Sequence, residues 1–319
     1  MNSIQVISAE MEKSSAKEME SLGSEFLESL PTNEDTQQTY KASLKSFAKY
    51  LEEHDIRSAE MVTSHDINGY KRDLIERGYS PSTVNLRLTV VRALFSWAED
   101  MEYISSNPAA RVKGVHLSKE HKKEAFTAEE AKEILAGMER KTLLEKRNYV
   151  ILLFMFTLGL RTIEICRLDK MDIRRRGEKA LIYIQGKGST DKDNFLPLPS
   201  SLLEELTAYE EARGEDGEPE LFRARSRGRL SPETVSYIVK KEFRRAGYDS
   251  PKLTAHSTRH TAITLAAEEG YSLQEVQEYA RHSRPETTEI YLHNLKKEES
   301  QIPESVASKL IVNSWIYQN

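Results

Sequence analysis

Residues 149–168 read YVILLFMFTLGLRTIEICRL, an almost wholly apolar run followed by an arginine and a second helical pattern. The apolar part, Tyr149 to Leu160, has twelve residues, well short of the ~20 that a bilayer-spanning helix needs. It therefore predicts a buried helix and no membrane partner. Gly159 is expected to end that helix, because glycine favours helix C-termini. A new helix is expected to start around Arg161, which places this charge at a helix boundary.

On the C-terminal side of this stretch, apolar and polar residues alternate only at 180–184 and 195–198, which predicts a hairpin. Its turn is expected over 186–194, and a third strand is expected near Ile173. After Ser231 the pattern indicates helices and turns. Two capping-box signatures mark helix starts on either side of the sheet: Thr127 with Glu130, and Ser272 with Glu275.

On the N-terminal side, the pattern predicts a helical domain of about four helices. Apolar residues recur at helical spacing from about residue 35, at Tyr40, Leu44, Phe47 and Leu51. A second helix is predicted over 65–77, and a third begins at Ser80 and Pro81, a cap followed by proline at the first helical position. The predicted organisation is an acidic leader at 1–34, a helical domain at 35–110, a basic linker at 111–123, a second domain at 124–298 and a tail helix at 299–319.

The composition permits binding to a polyanion. The chain has 319 residues, 38% of them hydrophobic, and a net charge of −5. Residues 1–35 hold eight acids against two lysines, a net of −6, so the other 284 residues carry +1. The single cysteine, Cys166, cannot form an internal disulfide, and the first thirty residues lack an apolar signal core, so a cytoplasmic protein is expected.

Several cations are placed to meet phosphates. Lys41, Lys45 and Lys49 lie four residues apart and predict one basic helical face. A solvated surface is the alternative explanation for such a face. The candidates for contact with a polyanion are Lys41, Lys45, Lys49, Arg87 and Arg92 in the first domain, Lys122 and Lys123 in the linker, and Lys192 in the hairpin turn.

Two familiar kinds of site are not indicated. The run 186–189 resembles part of a phosphate-binding loop, but Leu181 stands where the first glycine of that loop would be. His256 and His260 are four apart, yet no glutamate follows His256 as a zinc protease requires. Neither a nucleotide cofactor nor a metal is expected.

Four strings occur in a fixed order: TLGLRTIEICRL at 157–168, GKG at 186–188, AHSTRH at 255–260 and RHSRPETTEIY at 281–291. Together they resemble the tyrosine recombinases of the phage integrase family. The similarity extends from about residue 35 to 295 and includes the NPA at 107–109. It implies a mainly α fold with a small antiparallel three-stranded sheet, built as a clamp of a helical core-binding domain and a mixed α/β catalytic domain.

The resemblance also implies the site residues. Tyr291 would be the nucleophile and Arg161 and Arg259 the ligands of the scissile phosphate. Lys187 would be the general acid, while His256 and His282 complete the pocket. Glu164 and His260 are expected in supporting positions. Guanidiniums suit this chemistry, because they are always ionised and offer planar donor pairs to phosphate oxygens.

Three departures from the family pattern stand out. Ser257 and Thr258 precede Arg259 where a leucine is usual, which is expected to loosen the packing under the site. Ala280 and Arg281 replace a leucine and a glycine before His282. An arginine there would either add a phosphate contact or crowd the turn. The hairpin loop is also longer than usual, so Lys192 competes with Lys187 as general acid; the GKG setting favours Lys187.

The expected activity is site-specific recombination through a 3′-phosphotyrosyl intermediate, leading to integration, excision, inversion or resolution. The partners implied are double-stranded DNA with inverted-repeat core sites, three further copies of the chain in a tetramer, and an accessory directionality factor. A bacterial, nucleoid-associated protein is expected. An apolar stripe in the tail, formed by Val306, Leu310, Ile311 and Trp315, is expected to dock on a neighbouring protomer or to fold back on its own.

Two other functions remain open from the sequence. A DNA-binding accessory protein would share the fold without turnover, and a type IB-like topoisomerase would nick and reseal one duplex. In the leader, Leu22, Phe26 and Leu30 are expected either to form a helix on the first domain or to belong to a segment that shields the DNA face.

Overall fold

The computed structural model describes residues 19–31, 34–116, 125–186, 189, 191–226 and 228–289. The chain divides into two compact units, residues 1–120 and 121–319. Along the described residues, no helix is both long and apolar enough to cross a bilayer.

Four α-helices and a short 3₁₀ turn form the described part of the first unit. The helices are α1 (Met19–Ser29), α2 (Glu34–Glu53), α3 (Ser64–Glu76) and α4 (Pro81–Asp100), and the 3₁₀ turn is Ala59–Met61. The predicted cap at Ser80 is confirmed: its hydroxyl accepts a hydrogen bond from the Thr83 N–H, and Pro81 occupies the first turn. The sequence predicts about four helices over 35–110, and the described residues hold three α-helices there, the first beginning one residue earlier at Glu34, while α1 lies in the predicted leader.

Helix α1 packs on the rest of this unit. Leu22 and Phe26 are fully or almost fully buried, and Phe26 contacts the rings of Tyr40 and Trp97 with centroid distances of 6.2 and 5.6 Å. Leu30 is partly buried against the same core. Of the two alternatives for this segment, the structure thus has the packed helix.

The core of the first unit is aromatic at its centre. Phe47 lies 5.0 Å from Tyr70 and 6.1 Å from Phe95, measured between ring centroids. After α4 the chain returns along that helix, where Asn85 exchanges two hydrogen bonds with the backbone of Val115 at 2.7 and 2.8 Å. These amide contacts fix the start of the linker to α4.

The second unit surrounds one long buried helix. Its helices are α5 (Ala128–Ala136), α6 (Leu143–Thr157), α7 (Thr162–Arg167), α8 (Ser200–Arg213), α9 (Pro232–Arg245), α10 (Ala255–Glu268) and α11 (Leu273–Ala280). The apolar run of α6 is buried between α8 and α10, as its composition predicts. The capping boxes at Thr127 and Ser272 are confirmed as the starts of α5 and α11.

The predicted sheet is also confirmed. Strands β1 (Ile173–Arg176), β2 (Lys179–Ile184) and β3 (Asn194–Leu198) form an antiparallel sheet in the order β1-β2-β3. Ile182 pairs with Leu196 and is fully buried, while Phe195 is half exposed on the other face. Strand β2 ends at Ile184, so the connection to β3 starts at Gln185. This connection lies next to α7, because Arg167 of that helix donates to the Gly186 carbonyl.

Candidate active site

Arg161 stands at the junction between α6 and α7. Helix α6 ends at Thr157, and Gly159 makes the turn with φ = 57°, a left-handed conformation that favours glycine. Leu160 is buried, and Arg161 is the N-cap residue of α7. Its side chain retains 23% of its surface, so the guanidinium is anchored in the core but faces solvent.

Glu164 anchors that guanidinium. Its side chain is fully buried, and its Oε1 accepts from Arg161 Nη1 at 2.7 Å while its Oε2 accepts from the Arg161 backbone N–H at 2.8 Å. Burial by itself raises the pKa of Glu164, but the guanidiniums of Arg281, Arg161 and Arg259 and the backbone hydrogen bond outweigh it, so the pKa is lowered. The carboxyl is therefore ionised at neutral pH.

Helix α10 presents Arg259 from the other side. Arg259 is 1% exposed, and its Nη1 donates to the Gly159 carbonyl at 2.6 Å. Its Nη2 donates to the Ala280 carbonyl at the end of α11. His256, one helical turn earlier, is exposed. The turn at Gly159 thus connects the two arginines, because Arg259 binds the Gly159 carbonyl and Arg161 follows Gly159 by two residues.

The residues before Arg259 are well packed, contrary to the loosening expected there. Ser257 and Thr258 are both fully buried. The Ser257 hydroxyl accepts from the Thr254 N–H at 3.1 Å, and the Thr258 hydroxyl donates to the Ala255 carbonyl at 2.9 Å. Local hydrogen bonds satisfy both hydroxyls, so they fit a site where a leucine was expected.

His260 lies one residue beyond Arg259 on α10. Its Nδ1 is 3.2 Å from the Thr264 hydroxyl, and the residue is partly buried. Within the described ranges, no three side chains of the His, Cys, Asp and Glu types are grouped so that they could hold a metal ion.

His282 follows α11 and is held at both its backbone and its ring. Gln277 accepts from the His282 N–H and donates to the His282 carbonyl, both at 3.1 Å. The ring Nδ1 lies 2.9 Å from the hydroxyl of Thr288, which is fully buried. This hydroxyl fixes the ring orientation and leaves Nε2 for another partner.

Burial and the positive charges around His282 keep it neutral. Burial, followed by the positive charges of Arg259, Arg161 and Arg281 and by His256, lowers the pKa of His282 to about 4. At neutral pH the ring is therefore an uncharged imidazole beside three guanidiniums.

Arg281 does not crowd the turn. It adopts the left-handed conformation (φ 53°, ψ 46°) that ends α11, at a cost of about 1–2 kcal/mol for a residue other than glycine. Its side chain is 5% exposed and donates to the carbonyls of Leu158, Gly159 and Tyr279 at 3.3, 3.1 and 2.8 Å. Its Nη2 also lies 3.1 Å from Glu164 Oε2.

Of the two lysines that are candidates for the general acid, only Lys192 lies among the described residues. Lys192 is partly buried, and its ammonium forms ion pairs with Asp169, at 2.8 Å, and with Asp172. Lys187 lies outside the described residues. The carbonyl of Gly186, just before it, accepts from Arg167 Nη1 of α7 at 3.3 Å.

Tyr291 also lies outside the described residues, which end at Glu289, and so do Lys122, Lys123 and the whole of the tail. The structure therefore brings together Arg161, Glu164, Arg259, His256 and His282 among the predicted site residues. They come from α7, α10 and the segment after α11, and two of them meet at the Gly159 turn, where Arg259 binds the carbonyl and Arg161 follows two residues later.

The cations expected to contact DNA from the first unit are of two kinds. Lys41 and Lys45 are exposed, and Lys49 is exposed with its ammonium 3.8 Å from Glu53. By contrast, Arg87 donates to the Ser46 hydroxyl at 2.6 Å and lies over the Tyr79 ring at 4.2 Å, and Arg92 donates twice to the Val112 carbonyl. Both arginines thus hold the first unit together.

Sequence reasoning did not assign two residues of this site. Arg281 departs from the family pattern, but its contact with Glu164 joins residues 117 positions apart. Thr288 lies six residues after His282, and no sequence signal distinguishes it from the exposed Thr287 next to it. Only the fold shows which threonine faces the histidine.

Family sequence models match most of this chain. The sequence model described as the Phage integrase family matches residues 124–298, and that of the N-terminal SAM-like domain of phage integrases matches residues 24–102.

Curated relatives include archaeal and bacterial recombinases. Tyrosine recombinase XerA of Thermococcus onnurineus is 34% identical over 221 residues, 68% of this chain and 73% of the relative. XerA of Pyrococcus furiosus is 30% identical and covers 85% of this chain and 90% of its own length. XerC of Bacillus licheniformis is 26% identical over 80% of this chain and 84% of its own length. The first relatives are archaeal, whereas a bacterial source was expected from the sequence.

Solved structures share the fold. XerH bound to a palindromic difH substrate, in a post-cleavage complex, has a TM-score of 0.72 at 22% identity, over 84% of this chain and 80% of its own. A lambda integrase dimer bound to a COC′ core site has a TM-score of 0.70 at 17% identity, over 90% of this chain and 80% of its own. A lambda integrase tetramer bound to a Holliday junction has a TM-score of 0.69 at 18% identity, over 86% and 77%. These likenesses match the predicted two-domain, mainly α fold with its small sheet.

Proposed function

Because this chain belongs to the phage integrase family and is a site-specific tyrosine recombinase, we propose that it cleaves and rejoins DNA strands with Tyr291 as the nucleophile. The phenolic oxygen forms a bond to the scissile phosphorus, and the bond from phosphorus to the 5′ oxygen breaks. The products are a 3′-phosphotyrosyl enzyme and a free 5′ hydroxyl. Rejoining runs the same exchange backwards with a 5′ hydroxyl as the nucleophile.

The proposal rests chiefly on one observation, the convergence of Arg161 and Arg259 on the Gly159 turn, next to His282. In-line displacement at phosphorus places negative charge on the non-bridging oxygens. Preorganised guanidinium donors stabilise that charge. We assign the binding of the scissile phosphate to these two arginines.

The histidines are assigned different roles. His256 is exposed and one turn from Arg259, where it can accept the proton of the attacking phenol. For His282, the lowered pKa and the Thr288 hydroxyl at Nδ1 support a neutral ring that donates from Nε2 to a phosphate oxygen. His260 is assigned a supporting role on α10.

Lys187 is the proposed general acid that protonates the leaving 5′ oxygen. A lysine with an ordinary pKa near 10.4 holds a proton at neutral pH. The ion pairs of Lys192 with Asp169 and Asp172 support this choice, since they engage the rival ammonium. Lys192 is then a structural residue that ties the hairpin loop to the 3₁₀ turn Lys170–Asp172, which comes just before β1.

The reaction as proposed uses neither a metal nor a nucleotide triphosphate. The energy of the phosphodiester is kept in the phosphotyrosyl bond, so rejoining requires no further source of energy. The positive charge that stabilises the transition state is supplied by arginine side chains.

The substrate proposed is duplex DNA with inverted-repeat core sites, contacted from the first unit by the exposed Lys41, Lys45 and Lys49. Exchange between two duplexes needs four active sites, which supports a homotetramer on DNA. The lambda integrase tetramer on a Holliday junction is consistent with such an assembly. We also propose a cytoplasmic, DNA-associated protein that works with an accessory directionality factor.

A nicked suicide oligonucleotide tests this function. It is built from inverted repeats found in the DNA that flanks the gene, and the nick lets the short 5′-hydroxyl product diffuse away so that the covalent adduct accumulates. The wild-type protein is expected to form the adduct and Tyr291→Phe none. No adduct would support a binding protein without turnover, whereas an adduct without exchange between two duplexes would support a type IB-like topoisomerase.

The same assay tests the general acid. Lys187→Ala is expected to slow adduct formation strongly, and Lys192→Ala, its matched control, to act mainly on stability. A substrate with a 5′-bridging phosphorothiolate has a leaving group that needs no proton, so it should restore the rate of Lys187→Ala. A nearly normal rate of Lys187→Ala on the ordinary substrate would contradict the assignment.

A further inference from the structure

Arg281 is buried beside the candidate site in a conformation that glycine would adopt more easily. Its left-handed backbone and 5% exposed side chain show that the surrounding contacts hold it in place. One of those contacts, with the Tyr279 carbonyl, lies within the end of α11, and the others lead to the site. The guanidinium binds the two carbonyls of the turn before Arg161 and the carboxylate that holds Arg161.

Glu164 is shared between two guanidiniums. Its Oε1 binds Arg161, at 2.7 Å, and its Oε2 binds both the Arg161 backbone and Arg281, at 2.8 and 3.1 Å. Because Glu164 is fully buried and ionised, its charge is poorly screened. With Arg161 alone, the pair would carry no net charge. With Arg281 as well, the three side chains keep one net positive charge.

Arg281 also reaches the second arginine. The Gly159 carbonyl accepts from Arg281 Nη2 at 3.1 Å and from Arg259 Nη1 at 2.6 Å. The carbonyl of Ala280, the residue before Arg281, accepts from Arg259 Nη2. A single side chain thus contacts the supports of both arginines that are assigned to the phosphate.

We propose that Arg281 is a positioning residue that balances the charge of Glu164 and holds the Gly159 turn, so that the three side chains keep one net positive charge and Arg161 keeps its aim for the scissile phosphate. This inference rests on the proposed function and assigns Arg281 no contact with DNA. It explains why an arginine occupies the left-handed position that ends α11.

The test compares two suicide substrates, one with an ordinary scissile phosphate and one with a methylphosphonate in its place. The methyl group removes the negative charge that Arg161 would stabilise. Arg281→Gln is expected to form the covalent adduct at least ~tenfold more slowly than wild type on the phosphate. On the methylphosphonate its rate should be within about twofold of wild type, since the lost charge then matters little.

Two further variants separate charge from folding. Arg281→Gly suits the left-handed backbone, so it should fold normally and still show the same selective loss. Arg281→Lys keeps the positive charge near Glu164 and should recover most of the rate on the phosphate. A wild-type rate for Arg281→Gly, or an Arg281→Lys as slow as Arg281→Gln, would overturn the proposal.

Arg147 provides the matched control. It is also a buried arginine, 6% exposed, that donates to a backbone carbonyl, that of Arg223 at 2.6 Å, but it lies outside the candidate site. Arg147→Gln should lower the melting temperature and affect both substrates equally. If Arg281→Gln also affects both equally, its role is only structural and the proposal fails. If the wild-type protein forms no Tyr291-dependent adduct, the proposed function itself fails, and the proposal for Arg281, which rests on it, fails as well.

Discussion

At the scale of single residues, the site depends on neighbours that carry no chemistry themselves. The Thr288 hydroxyl is the partner of His282 Nδ1, and the buried carboxylate of Glu164 aligns Arg161. Neither residue needs to touch DNA. Thr288 orients the ring of His282, and Glu164 orients the guanidinium of Arg161. Loss of either residue should therefore lower the reaction rate more than it lowers the stability of the fold.

Thr288→Val tests this for the histidine. Valine has nearly the shape of threonine but no hydroxyl, so His282 loses the partner that orients its ring. We expect adduct formation on the suicide substrate to slow by about tenfold, the effect of losing ~1.4 kcal/mol of transition-state stabilisation. The exposed Thr287→Val is the matched control, and Thr288→Ser should restore the rate. A wild-type rate for Thr288→Val would show that the hydrogen bond is dispensable.

At the scale of elements, two helices of the first unit make separate contributions. Helix α1 buries its apolar side in the core, whereas α2 presents Lys41, Lys45 and Lys49 on an exposed side. The first is expected to contribute to stability and the second, under the proposed function, to DNA affinity, so mutations on the two helices should have separable effects.

Phe26→Ala should destabilise the first unit by about 3–5 kcal/mol, because it removes a buried ring and leaves a cavity against Tyr40 and Trp97. Thermal unfolding is followed by the fluorescence of Trp97 in a Trp315→Phe background, since the chain has two tryptophans. Phe195→Ala, at a half-exposed position of the second unit, should leave that transition unchanged. An unchanged transition in Phe26→Ala would mean that α1 does not stabilise the unit.

Replacing Lys41, Lys45 and Lys49 by alanine should weaken DNA binding and lower its dependence on salt. Each lost phosphate contact lowers the slope of log K against log salt by about 0.9. Lys49 should contribute least, because its ammonium lies 3.8 Å from Glu53. Arg77→Gln is the control, since that cation is paired with Glu53 and Asp73. If wild type and the triple variant show equal slopes of log K against log salt, the three lysines do not contact DNA and form only a solvated surface.

At the scale of the whole molecule, the buried charges make stability depend on pH. His282 has a lowered pKa of about 4, so between pH 4 and its ordinary value near 6.5 the unfolded chain binds more protons than the folded one. Stability therefore rises with pH across this window and is lost as the pH falls. Below about 4.5, protonation of Glu164 acts in the same direction, because its pKa is also lowered.

Urea unfolding of the full chain between pH 4 and 7 checks this prediction. Wild type is expected to lose stability steadily on acidification. His282→Gln, which cannot titrate, should lose less between pH 6.5 and 4. If the two curves run parallel through that window, the histidine is not held neutral in the folded protein.

Much of this fold could be predicted, because the signals that specify its elements are local. The capping boxes at Thr127 and Ser272 act over three residues, and the alternation at 180–184 over five. The helix at 19–29 is the instructive exception: the spacing of its apolar residues is visible in the sequence, but whether they pack depends on partners such as Trp97, more than seventy residues away.

The sequence by itself determined the three strands, the helix starts at Ser80, Thr127 and Ser272, the position of Arg161 at a helix boundary and the family of the chain, since these follow from spacing and from ordered strings. The tertiary structure alone decided that Ser257 and Thr258 are satisfied in the core, that Lys192 is engaged by Asp169 and Asp172, and that Arg281 meets Glu164. The physical reason is burial. A charge or a hydroxyl removed from water needs a partner, and folding selects that partner by its distance in space and not by its distance along the chain.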